Sequence, residues 1–333
     1  LSAAGPPSRP AFEAFLRALS QVVANPGLLL APFALGAATL VIFAAGGAAT
    51  FVLAGAAVRS EWETLRRHRS FPDFLEALRE VLLGSPAVLL LILVGILVAL
   101  LVVTAFAAWI RAGVTGALSD ADARAGAKAP VPAYRLPSAG GAFFGWARRR
   151  FSAFFGLVNL YALVASFLAA LFLVPLVAIF AGVLGGRTPL AGVGGLSLLI
   201  AVPVAIAGGA AIRIVYLVAG RVLVLEPALD AVAAVGRALA FVRASFGPSL
   251  TLYFIDIAGA MFVGAVFVVP RMLLSFGVGS LWPGFPALLA VTAVFMALQI
   301  AAGLAFDLVV TASFVALWPS PAAGEGAPEP LVR

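Results

Sequence analysis

Long apolar stretches alternate with short charged ones from end to end of the chain. The apolar runs cover approximately 27–58, 86–110, 153–184, 194–220, 249–269 and 285–318. Each is as long as the ~20 residues a helix needs to cross a hydrocarbon core of ~30 Å, and none alternates residue by residue as a membrane β-strand does. The pattern predicts an all-α polytopic membrane bundle of about six transmembrane helices, forming one domain over 1–318. A polar, Pro-containing tail follows at 319–333 and is expected to be disordered. Several runs are longer than a vertical span requires, so tilt or extension beyond the lipid is expected. Pro175 and Pro203 fall inside runs, where each removes a backbone donor.

A second periodicity precedes the spans. Phe12, Phe15, Leu16, Leu19, Val22 and Val23 recur at helical spacing, as do Phe74, Leu75, Leu78, Val81 and Leu82. Val235, Ala238, Leu239, Val242 and Phe246 repeat the pattern, and 143–155 is a looser fourth copy. Each of the three clear stripes ends in a turn: Asn25-Pro26, Ser85-Pro86 or Gly247-Pro248. These segments predict amphipathic helices lying along the membrane interface, or docked on the bundle to set the angle of the next span. The 119–140 stretch, with Asp120, Asp122, Lys128 and three prolines, reads as a solvated loop.

Charge placement orients the spans. Arg and Lys number seven in 111–150 and three in 221–248, against one each in 185–193 and 270–284. The positive-inside rule then puts the 111–150 and 221–248 loops and both termini in the cytoplasm, as in a multi-pass protein of a bacterial inner membrane. The 59–85 loop carries five Arg on the opposite side and fits this less well. All five Trp (62, 109, 146, 282 and 318) fall near expected interfaces.

Composition narrows the chemistry. Hydrophobic residues make up 63% and charged residues 11%, with a net charge of +7. The basic clusters lie between apolar runs, so anionic lipid headgroups explain them better than nucleic acid does. With no cysteine and His68 as the only histidine, thiolate catalysis and multi-histidine metal sites within one chain are excluded. No nucleophile motif, phosphate-binding loop or zinc signature is present, so no enzyme activity and no cofactor are expected.

The polar residues inside the spans are the candidate site: Asn159, Arg213, Asp256 and Asp307. A mid-span charge costs about 2.5–3.5 kcal/mol on insertion scales, so such residues face partners or water. All four lie roughly 12–17 Å from the same end of their helices at ~1.5 Å per residue. The expectation is that Arg213 pairs with Asp256, Asp307 or both, with Asn159 hydrogen-bonded to it. One Arg against two Asp would leave a titratable carboxylate, as in a coupled transporter; otherwise the pair fixes helix register. Ala205/Gly209, Ala260/Gly264 and Ala297/Ala301 are spaced to let spans 4, 5 and 6 approach closely.

Three stretches carry a family resemblance: Trp109-Ile110-Arg111-Ala112-Gly113, the aromatic and basic lead-in at 141–158, and the helix at 225–246. They resemble a broad group of bacterial six-helix membrane proteins, similar to the membrane domain fused to some glycerophosphodiester phosphodiesterases. The phosphodiesterase domain itself is absent from this sequence. The resemblance implies a six-helix architecture with interfacial helices and a non-enzymatic role. The first functional expectation is therefore a scaffold, assembly factor or complex subunit, with membrane lipids and other membrane subunits as partners. The second is a transporter or permease component for a small molecule or lipid that uses the Arg/Asp cluster.

Overall fold

The computed structural model describes residues 9–34, 36–39, 41–42, 45–46, 86–125, 130–184, 188–281 and 285–318. Among them the chain is helical, with no strand. Helix α1 spans Ala11–Ala24, α2 Pro86–Ala125, α3 Ala139–Leu184, α4 Thr188–Leu225, α5 Ala231–Ala244, α6 Phe246–Leu281 and α7 Phe285–Leu317. Five of these, α2, α3, α4, α6 and α7, contain stretches long and apolar enough to cross a membrane. A sixth candidate joins α1 to Pro26–Thr39 across a 94° bend. The chain is an integral membrane helical protein. Most of the first expected span, the 59–85 loop with Trp62, the second amphipathic segment and the C-terminal tail lie outside the described residues, as does the detail around Trp282.

The chain divides into two compact units, Leu1–Phe33 with Ala108–Arg333, and Ala34–Ala107. Helix α2 runs through both. Its described part in the smaller unit is an apolar rod whose side chains, such as Leu90, Ile96, Leu97 and Leu101, stay exposed.

In the larger unit, burial is concentrated towards one end of the helices. Ala108, Leu118, Phe154, Leu157, Leu223 and Leu317 are among its fully or almost fully enclosed side chains. Towards the other end, α3 and α4 turn most of their apolar side chains outwards. Only 6% of the residues in the most apolar stretch of α3 are buried, against 56% in that of α7, whose residues 308–317 are all buried. Glycines permit the tightest contacts. A Cβ at Gly113 would overlap the Phe143 ring, one at Gly116 the Trp146 ring, and one at Gly259 the Phe306 ring.

Several loop and interface expectations are corrected. The 119–140 stretch is not a solvated loop: α2 continues to Ala125, Asp122 is buried, and Tyr134 and Leu136 are buried beyond it. Segment 143–155 is no separate interfacial helix but part of the unbroken 46-residue α3. The chain breaks at Ser245, so Gly247 and Pro248 occupy the first turn of α6, where a proline removes no intrahelical bond.

The reason the charged stretch is buried is a second ionic cluster. Asp122 Oδ1 accepts from Arg17 Nε at 2.5 Å, Gln21 Nε2 at 3.1 Å and Arg9 Nη1 at 3.3 Å. Arg221 of α4 lies with Nη2 3.7 Å from Asp122 Oδ2, and both side chains are fully enclosed. Asn25, which ends α1, donates to the Tyr134 carbonyl and accepts from the Leu136 N–H. Tyr134 lies under the Arg17 guanidinium, and burial pushes its phenol above the ordinary tyrosine value. Arg9 also reaches the Ala316 carbonyl, so the described N- and C-terminal ends lie side by side.

This cluster decides which way α1 faces. Ala14, Arg17, Ala18 and Gln21 are buried, whereas Phe12, Leu16 and Val23 are exposed. Helix α5 does the same, burying Ala231, Ala234, Ala238 and Phe241 and exposing Val232 and Leu239. Much of the apolar stripe read from the sequence is the outward face. Small and polar residues make most of the contacts, joined by Val22 of α1 and Phe241 of α5.

Asp122→Ala would leave buried guanidinium groups without their carboxylate, which typically costs about 3–5 kcal/mol. The expected outcome is a lower melting temperature in detergent and earlier proteolytic cleavage within α1 than in the wild type, read by circular dichroism and limited trypsin digestion.

Candidate functional site

Four helices place ionised side chains at one level of the larger unit. Arg213 of α4 donates from Nε to Asp256 Oδ2 of α6 at 2.5 Å and from Nη2 to Asp307 Oδ1 of α7 at 3.0 Å. Arg111 of α2 donates from Nη2 to Asp307 Oδ2 at 2.8 Å and from Nη1 to Thr311 Oγ1 at 2.8 Å. The Thr311 hydroxyl in turn donates to the Asp307 carbonyl one helical turn back. Asp307 is therefore the bridge, with one carboxylate oxygen for each guanidinium.

The helices explain the convergence. Arg213 lies twelve residues before the end of α4 at Leu225, and Arg111 fourteen before the end of α2 at Ala125. At ~1.5 Å per residue both sit about 18–21 Å from those ends. Asp307 and Thr311 are one turn apart on α7, so a single guanidinium spans both. Tyr216, three residues after Arg213, brings its ring to 5.9 Å from the Arg111 guanidinium and lies 4.4 Å from the Tyr161 ring at a 33° tilt.

Asn159 stands apart from this network. Its amide donates to the Phe155 carbonyl of its own helix at 2.7 Å. The expected bond from Asn159 to Arg213 is replaced by this local one. An amide capping its own i−4 carbonyl needs no partner helix.

Arg111 is the member that the sequence reading assigned elsewhere, to the loop after the second span. It lies between Ile110 and Ala112 in a helix that does not stop there. Its presence changes the charge arithmetic. Two guanidinium groups meet two carboxylates, and the excess carboxylate expected from one Arg against two Asp does not arise.

The network is not sealed. A cleft of about 240 Å³ opens beside it, lined by Arg213, Asp256 and Asp307 together with Ala260, Gly303 and Gln299. Arg213 and Asp307 keep 28% and 27% of their side-chain surface exposed, Asp256 only 10%. Gly264 and Gly209 have open space where a Cβ would stand, so these small residues border cavities rather than helix contacts. The close approaches are elsewhere, at Gly259 against Phe306, Gly208 against Leu168 and Gly182 against Ala191. Among the described residues no group of acidic or histidine side chains is arranged to hold a metal ion.

Asp307→Asn removes the charge facing both arginines, whereas Asp256→Asn removes one partner from Arg213 alone. Breaking a buried pair typically costs about 3–5 kcal/mol, so the Asp307 variant is expected to melt lower than the Asp256 variant. Thermal unfolding of the two proteins in the same detergent checks the order. No protein-family model, curated protein or solved structure matches this chain, so the comparisons supply no family for it.

Proposed function

We propose that this protein is a non-catalytic integral membrane protein, a scaffold or complex subunit of a bacterial cytoplasmic membrane with both termini inside. The intramembrane network serves as its clasp. The observation that carries this reading is charge closure. Arg111 and Arg213 are matched by Asp307 and Asp256, and both oxygens of Asp307 are engaged. A coupled transporter needs a group that gains and loses its charge during the cycle; a closed network of two and two supplies a fixed joint instead. The joint ties α4 to α6 and α7 and ties α2 to α7. Beyond it the helices offer long apolar faces to lipid or to other membrane subunits.

A second reading, a permease component for a small molecule or lipid, has one specific observation in its favour. The polar cleft reaches the carboxylates, as a transport path must.

The native chain contains no cysteine, which makes it suited to single-cysteine probing. Ala260→Cys and Gly303→Cys place a thiol on each side of the cleft. The scaffold reading expects both thiols to label slowly with a membrane-impermeant maleimide in intact vesicles. It also expects Asp256→Asn and Asp307→Asn to reduce the amount of folded protein recovered from the membrane. Rapid labelling combined with wild-type recovery of both Asn variants would overturn that reading in favour of transport.

A further inference from the structure

On the α3–α4 face a different feature stands apart from the charge network. Two cavities of about 320 Å³ and 290 Å³ lie between the two helices and share Tyr161 and Ile212 as common walls. Together they form one groove. It begins at Leu157, Val235 and Leu239, under α5, and continues to Phe172 and Ala205. From Leu157 to Phe172 is fifteen residues of α3, about 22 Å at ~1.5 Å per residue.

The walls are almost wholly apolar, and small residues form much of the deeper part: Ala165, Ala169, Ala205 and Gly209. Nothing lies within 4 Å of the place a Gly209 Cβ would occupy. The groove is open along its flank, where Val164 and Leu239 are 36% and 41% exposed.

Its dimensions select the occupant. A hydrocarbon core is ~30 Å thick, so a 22 Å groove is deeper than one leaflet and too short to seat a whole crossing helix. A packed helix also needs 8–10 Å between axes, whereas this groove is cut between two helices already in contact at Gly208 and Leu168. A single extended acyl chain is narrow enough to enter it.

The shallow end is basic. Arg150 lies two turns before Leu157 on the same face of α3 and donates to the Pro227 carbonyl at 2.6 Å, at the turn leading into α5. Arg148 and Arg149 are exposed beside it. Arg243 follows Leu239 by one turn of α5 and is exposed. Helix α5 thus has the composition of a headgroup-level helix, with arginines beside outward apolar side chains.

We propose that the α3–α4 groove is a binding site for one anionic phospholipid. An acyl chain lies along Tyr161, Ala165 and Gly209, and the phosphate lies at the basic end of the groove that carries Arg150 and Arg243. The proposal is independent of the clasp formed by Arg213 and its partners, because the groove uses none of those four side chains.

The test uses the full chain, delipidated in mild detergent and then equilibrated with mixed micelles containing phosphatidylglycerol or phosphatidylcholine. Native mass spectrometry counts the phospholipid retained per chain. The expected result is one retained phosphatidylglycerol, with at least tenfold lower occupancy by phosphatidylcholine. Val164→Trp on the open rim, and Gly209→Leu in the floor, are each expected to lower phosphatidylglycerol occupancy at least tenfold. The rim variant, at an exposed position, keeps the test informative if the floor variant misfolds. The double variant R150Q/R243Q is expected to retain a lipid but lose the preference for the anionic one. Wild-type occupancy in a folded Val164→Trp protein would overturn the site. So would equal retention of the two phospholipids by the wild type, or a wild-type dimer in detergent that Val164→Trp converts to a monomer, which would assign the groove to a second copy.

Discussion

An ionised side chain within hydrocarbon has few stable arrangements: it meets an opposite charge, a water-filled space or the interface. Asp307 satisfies this constraint for three other residues at once. Its two oxygens hold Arg111 and Arg213, and through Arg213 they are linked to Asp256. Four unpaired charges at about 2.5–3.5 kcal/mol each would cost roughly 10–14 kcal/mol on an insertion scale, comparable with the ~5–15 kcal/mol by which a typical domain is stable at all. Pairing is therefore a condition of assembly rather than an added refinement. Because the partners come from α2, α4, α6 and α7, the condition is met only when all four helices are in register.

The network also marks a transition in packing. Next to it, towards the termini, Ile214, Leu217, Leu252 and Leu308 are buried. On its other side Ile206, Met261, Phe262 and Ile300 are exposed. One end of the larger unit is organised by ionic contacts, with Asp122 gathering α1, α2 and α4. The stretch beyond Asp307 presents apolar side chains to its surroundings. Lipid is as apolar as those side chains, so little drives them together there. The cleft at Gly264 and the groove at Gly209 lie on that side, where small residues leave space that no described helix closes.

The helical membrane class was legible because length and hydropathy alone decide it: α4, α6 and α7 each carry an apolar stretch far above a soluble helix. Arg213, Asp256 and Asp307 were legible for the same reason, since a charge in such a stretch is conspicuous. Arg111 was not, because it is the first charge after the apolar run and the charges and prolines of 119–140 follow it, and hydropathy marks the end of the lipid rather than the end of the helix. Asp122 was read as solvated because charge and proline together resemble a loop; its partners Arg17 and Arg221 are 105 and 99 positions away in sequence. Asn159 shows the converse limit. Its depth matched the cluster, but depth does not determine which way a side chain points.

The orientation of α1 gives these differences a common cause. In water the large apolar face of an amphipathic helix turns towards the core, because burial removes it from solvent. Beside a bilayer that preference disappears, and the contacts that remain favourable are ionic pairs, hydrogen bonds and close approach of small residues. Arg17 and Gln21, one turn apart with Ala14 and Ala18 beside them, form the buried face of α1, while Phe12 and Leu16 point away. The same rule places Ala234 and Ala238 of α5 inside and Leu239 outside. It also separates the two polar features in kind. Asp122 and Asp307 each use charge to hold helices together, whereas the outward apolar faces and the α3–α4 groove are surfaces that lipid can occupy without displacing a contact among the described residues. The acidic residues thus set the helix arrangement, and the small and apolar residues set what that arrangement presents to the membrane.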